Sequence, residues 1–130
     1  MIWQIIYHCK VLGFYLQDSR LPVLFWIHGG AFQFGSGSSF GPEYFMDEDV
    51  VIVTINYRLG ITGFFNLDVD GAPGNQGLKD MILAALKWTQ ENIEAFNGDR
   101  GRVTIFGESA GGAAVSFLIL SPLSRGEWES

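Results

Sequence analysis

The chain has 130 residues, 48% of them hydrophobic and 15% aromatic, which is enough apolar material for one domain with a real core and excludes a disordered chain. Eight Lys and Arg against 14 Asp and Glu give a formal charge of −6. The charges are spread along the sequence with no basic stripe, so nothing resembles a phosphate-binding surface and a nucleic-acid partner is not expected.

The apolar opening from Met1 to Leu16 is broken by Gln4, His8 and Lys10. It has neither a basic start nor a small-residue cleavage site, so we read no signal peptide there, and localisation stays open. Cys9 is the single cysteine and rules out an internal disulfide. No run reaches the ~18 apolar residues of a membrane span, and no Asn-x-Ser/Thr glycosylation acceptor occurs. Val23 to His28 is a continuous apolar run between Pro22 and Gly29-Gly30, the pattern of a strand buried on both faces.

Gly35 to Gly41 brushes against a dinucleotide fingerprint, but its third glycine is misplaced and no helix follows, so it reads as a loop. Asp47-Glu48-Asp49 reads as a solvated turn without calcium-loop spacing, and Asp68 and Asp70 flank another loop. No cluster has metal-ligand spacing and no cofactor is implied. Val50 to Asn56, rich in β-branched residues, is a second strand. Leu78 to Phe96 reads as an amphipathic helix whose polar stripe is Asp80, Lys87, Glu91 and Glu94, ended by the turn chemistry of Asn97-Gly98-Asp99. Val103 to Phe106 is a third strand, and Gly111 to Leu120 a second helix stopped by Ser121-Pro122. Strand, helix and strand make a βαβ unit with a parallel strand pair. Three or four strands with two clear helices leave such a sheet unfinished.

Two stretches carry chemistry. Gly107-Glu108-Ser109-Ala110-Gly111 is a G-x-S-x-G pentapeptide between a predicted strand and a predicted helix, the context of a nucleophile elbow. A serine on so sharp a turn sits in a strained backbone, and side chains two residues before or after it would collide with the flanking strand and helix. His28-Gly29-Gly30-Ala31-Phe32 leaves the first strand directly and matches a loop that offers backbone N–H groups to a developing oxyanion. A tight turn is the plain reading of Gly29-Gly30, and a satisfied strand-end histidine that of His28. Neither His8 nor His28 qualifies as base for Ser109, because the arrangement runs nucleophile, acid, histidine and no histidine follows Ser109. Glu108 points away along the turn and is an electrostatic neighbour rather than the acid.

From Leu21 to Gly126 these residues resemble the type-B carboxylesterase and cholinesterase family of α/β-hydrolases. The resemblance rests on LPVLFWIHGGAF, VIVTINYRLGITGF, APGNQGLKD, ALKWTQENIEAFNGD and RVTIFGESAGGAAV in the family's order. Their texture is most similar to insect members. The resemblance implies an α/β fold, a partial α/β-hydrolase with a mostly parallel sheet and flanking helices. Residues 1–130 are then an incomplete carboxylesterase domain with poorly matching ends at 1–20 and 127–130. It also implies Ser109 as acyl-forming nucleophile, with Gly30, Ala31 and Ala110 as oxyanion donors. The family's acid and histidine have no counterparts here, so the chain alone is expected to be inactive. Ala31 stands where many members have glycine, which a backbone donor tolerates if φ stays negative. Cys9-x-x-Leu12-x-Phe14-Tyr15 resembles a stretch whose cysteine pairs with one further upstream. The implied substrate is a small carboxylic ester, with oligomeric state open. A catalytically dead binding or adhesion module, and a hydrolase of thioesters or amides, are the alternatives.

Overall fold

The computed structural model describes residues 8–10, 20–45, 47–69 and 72–125. The Cys9-x-x-Leu12-x-Phe14-Tyr15 stretch and the ends 1–20 and 127–130 therefore lie outside the described residues, apart from Arg20 and the backbone of 8–10. A four-stranded sheet runs in the order β1-β3-β2-β6, formed by His8–Lys10 (β1), Val51–Thr54 (β3), Leu21–Ile27 (β2) and Gly98–Gly107 (β6). β3 and β6 both pair in parallel with β2, and β1 pairs antiparallel with β3. The two strands of the expected βαβ unit are thus parallel but not paired with each other, because β2 lies between them.

Between β3 and β6 come a short helix α1 (Gly60–Phe64), a small hairpin of β4 (Asn66–Val69) and β5 (Ala72–Pro73), and the long helical stretch. That stretch opens as α2 (Gln76–Lys79), widens into π-type winding over Asp80–Leu86, returns as α3 (Lys87–Asn92) and tightens to a 3₁₀ turn at Ile93–Phe96. Asn97 ends it in the left-handed conformation at φ 62°. α4 (Ala110–Leu120) follows β6 directly. Among the described residues no helix is long and apolar enough to cross a membrane.

Side-chain alternation along the strands decides what is covered. Val23, Phe25 and Ile27 of β2, Val51 and Val53 of β3, and Val103 and Ile105 of β6 form one fully buried face. Met81, Ala85, Leu86 and Ile93 from the long helical stretch, and Ala114 and Leu118 from α4, close over it. β2 was expected to be buried on both faces, but its burial alternates, leaving Leu24 and Trp26 half-buried. The opposite face of the sheet is met by the loop bearing Phe40 and Phe45, with Trp26 packed at a tilt against Phe106 (4.9 Å) and edge-on to Phe40 (6.1 Å).

Asp80 departs from the solvent stripe assigned to it. Its carboxylate is buried and takes three donors from Arg58, namely Nε (2.7 Å), a terminal guanidinium nitrogen (2.6 Å) and the backbone N–H (3.1 Å). A buried carboxylate is tolerable only when so satisfied, and this bidentate pair ties the segment after β3 to the helical stretch. Lys87 and Glu91 do face solvent, and Glu94 pairs with Arg20 and Arg100.

Candidate active site

β6 ends at Gly107, and one residue separates it from Ser109, whose φ of 53° and ψ of −118° fall outside the wells open to ordinary L-residues. Such a conformation costs roughly 1–3 kcal/mol and persists only where its surroundings hold it. Here Gly111 N–H donates to the Glu108 carbonyl (2.8 Å) and Ala113 N–H to the Ser109 carbonyl (3.0 Å). The two glycines flanking the turn answer to the neighbouring strand. A methyl at Gly107 would meet the Gly111 carbonyl carbon at 2.5 Å and the Ile27 oxygen at 2.8 Å. One at Gly111 would overlap the Ile27 carbonyl oxygen and lie 2.9 Å from that of His28. The end of β2 therefore presses directly on the serine turn.

That contact brings the two sequence motifs together. A methyl at Gly29 would sit 3.1 Å from Ser109 Cβ and 2.5 Å from Glu108 Oε2, so the His28 to Ala31 loop and Ser109 share one end of the sheet. Ser109 and Glu108 are exposed, Ala110 is buried at the start of α4, and His28 is 2% exposed. His28 is packed away from the serine chemistry: its Nδ1–H donates to the Gly29 carbonyl (2.7 Å) and its ring stacks on Tyr57 (4.4 Å). The Gly30 carbonyl accepts from Gln33 N–H (2.9 Å) and Phe34 N–H (3.1 Å). Among the described residues the Gly30 and Ala31 N–H groups have no acceptor.

Ala31 corrects an expectation. Its φ is +53°, between Gly30 at +108° and Phe32 at +60°, so three successive residues occupy the left-handed side of the backbone map. Neighbours hold the loop there: the Phe32 ring packs on the core and on Phe64 (5.1 Å), and the Phe32 carbonyl accepts from Gly60 N–H (2.7 Å). An L-residue in this region is disfavoured by about 1–2 kcal/mol, whereas glycine is not. Ala31→Gly is therefore expected to stabilise the chain by about 1 kcal/mol, after glycine's larger entropy loss on folding. The midpoint of urea unfolding checks this, and an unchanged or lower midpoint would contradict the strained assignment.

Beside Glu108, on the sheet's less covered face, lies a cleft of about 610 Å³ walled by Trp26, Phe40, Tyr44, Phe45, Ile52 and Phe106. Residues that the sequence did not single out complete the frame. Tyr57, buried, donates its hydroxyl to the His28 carbonyl (2.7 Å), and the only sequence trace of it is an aromatic residue three positions beyond β3.

The description "Carboxylesterase family" belongs to a family model that matches residues 6–129. The chain belongs to the carboxylesterase family. It is 52% identical to juvenile hormone esterase of Tribolium castaneum over 124 residues, 91% of this chain and 21% of that protein. Carboxylesterase 5A of Homo sapiens is 56% identical over 109 residues, 83% of this chain and 19% of that one. Among solved structures, juvenile hormone esterase from Manduca sexta with OTFP covalently attached superposes with a TM-score of 0.81 at 48% identity, covering 86% of this chain and 21% of that one. Insect and vertebrate esterases alike are thus similar to it, and the α/β-hydrolase fold class follows. This carboxylesterase chain spans about a fifth of the length of these relatives.

In this carboxylesterase chain burial pushes the Tyr57 phenol up to about 12. An unfolded tyrosine ionises near 10, so between about pH 10 and 12 the folded state keeps a proton that the unfolded state has lost. Stability from this group is full below about pH 10 and falls as pH rises toward 12. Urea melts across that window should show the decline in the parent and a shallower one in Tyr57→Phe; equal slopes would contradict it.

Proposed function

We propose that this segment supplies the nucleophile and the oxyanion donors of a carboxylic-ester hydrolase. Ser109 Oγ attacks the ester carbonyl carbon, and its proton passes to a histidine drawn from outside the segment. The carbonyl oxygen becomes an oxyanion that accepts from the N–H groups of Gly30, Ala31 and Ala110, each donor being worth about 3–4 kcal/mol of transition-state stabilisation in comparable sites. The tetrahedral centre collapses, the alcohol leaves with the histidine's proton, and water then releases the acyl group by the same route. Glu108, with its carboxylate over Gly29, sets the local charge and is not the acid of the relay.

The observation that supports this reading is the pair of acceptor-free amides at Gly30 and Ala31 beside an exposed, strained Ser109. Small residues there let peptide N–H groups reach a reacting oxygen that side chains would fend off. The covalently attached OTFP of the Manduca sexta relative is a precedent for adduct formation in this fold. The adhesion-module alternative draws no support from these relatives, which are named as esterases.

Ester preference is tested with a chimera in which residues 21–124 replace the matching stretch of the Tribolium castaneum esterase. Offered one acyl group as oxygen ester, thioester and amide, the chimera is expected to turn over the oxygen ester fastest. A faster thioester or amide would move the assignment to another hydrolase of this fold.

A further inference from the structure

We infer that His28 is a positioning residue whose Nδ1–H, by holding the Gly29 carbonyl, aims the Gly30 N–H toward Ser109. This deepens the esterase reading and rests on it. In a trans peptide the C=O and the following N–H point in opposite directions, so fixing one fixes the other. The Gly29 carbonyl is held by the buried His28 ring at 2.7 Å. The Gly30 N–H therefore points away from that ring, to the exposed side where Ser109 stands against Gly29. The Gly30–Ala31 peptide is held the same way from behind, its carbonyl accepting from Gln33 and Phe34. Both donor peptides are thus tied by their carbonyls and leave their N–H groups outward.

The ring has little freedom to do otherwise. A carbonyl oxygen only accepts, so Nδ1 must carry the hydrogen. Tyr57 stacks on one face at 4.4 Å with planes 15° apart, and also pins the His28 carbonyl. A methyl at Gly35 would lie 2.6 Å from Nδ1, so glycine there leaves room for the ring. His28 Nε2 is buried and has no hydrogen-bond partner among the described residues. A buried ring with one nitrogen unsatisfied calls for an explanation, and what the other nitrogen holds supplies it.

The test uses the full chain, labelled with ¹⁵N-histidine and ¹³C,¹⁵N-glycine. The expected ring spectrum for His28 has a protonated Nδ1, a bare Nε2, and a scalar coupling from Nδ1 across the hydrogen bond to the Gly29 carbonyl carbon. In His28→Phe, which keeps the stack and removes the donor, the residual dipolar coupling of Gly30 N–H should change while that of Gly111 N–H stays. A general loss of packing would move both or neither. A His28 ring protonated at Nε2 alone, or an unmoved Gly30 coupling in a folded His28→Phe, overturns the proposal. If that variant does not fold, the tautomer and coupling of the parent decide by themselves. None of these readings needs turnover, so failure of the esterase reading would show separately, as chimera turnover indifferent to Ser109.

Discussion

The 130-residue chain is expected to hydrolyse esters no faster than its Ser109→Ala form, whereas in the chimera Ser109→Ala is expected to lower turnover by roughly a million-fold. A serine hydroxyl is a weak nucleophile at neutral pH until a base takes its proton. His28, the histidine whose side chain is described, has committed Nδ1 to the Gly29 carbonyl and lies buried beneath the loop, so it has no path to the Ser109 hydroxyl. If the acid and histidine that the family resemblance implies are supplied by the rest of the chimera, it should gain serine-dependent turnover. Assays on a short-chain aryl ester, run on both proteins with and without Ser109, check this. Repeated turnover by the chain alone, abolished by Ser109→Ala, would show that a base lies within it.

Gly111→Ala is expected to destabilise the chain by about 3 kcal/mol or more, at the upper end of overpacking effects. The added methyl overlaps the Ile27 carbonyl oxygen at the end of a central strand, and neither that peptide nor the first turn of α4 can retreat without breaking the junction. Gly112→Ala is the matched control. A methyl there meets only the Gly107 carbonyl oxygen at 3.2 Å and its carbon at 3.8 Å, and alanine favours a helix. Its stability should stay within about 1 kcal/mol of the parent. Comparable urea midpoints for the two variants would mean that β2 does not press on the serine turn.

Much of the architecture was legible because the signals are local. A continuous apolar run marked β2, a β-branched run marked β3, the Val103 to Phe106 run marked the core of β6, the spacing of a polar stripe marked the long helical stretch, and the apolar run before Ser121-Pro122 marked α4. What escaped depends on partners far along the chain. Asp80 has the spacing of a solvent stripe, and only Arg58, 22 residues away, explains why it turns inward. The three residues β1 contributes at the sheet edge carry no periodicity, and the β4–β5 hairpin is too short to show any. β6 also begins earlier than its apolar run, because Asp99 accepts from Gly101 N–H and Arg102 to hold an irregular start with its carboxyl below the usual range.

At the site, the sequence paired the two motifs, and the fold sets Gly29 against Ser109 at one end of the sheet. The backbone sign at Ala31 was not readable, since alanine gives no hint of a left-handed loop that Phe32, Phe64 and Gly60 enforce from outside. Tyr57 was equally silent, because its role is fixed by stacking on a histidine 29 positions earlier.

The most direct test of the account is the mass of the chimera after treatment with a fluorophosphonate, followed by peptide mapping. The account predicts a single adduct on the peptide carrying Ser109, absent from Ser109→Ala. An adduct on any other residue, or undiminished labelling of Ser109→Ala, would contradict it.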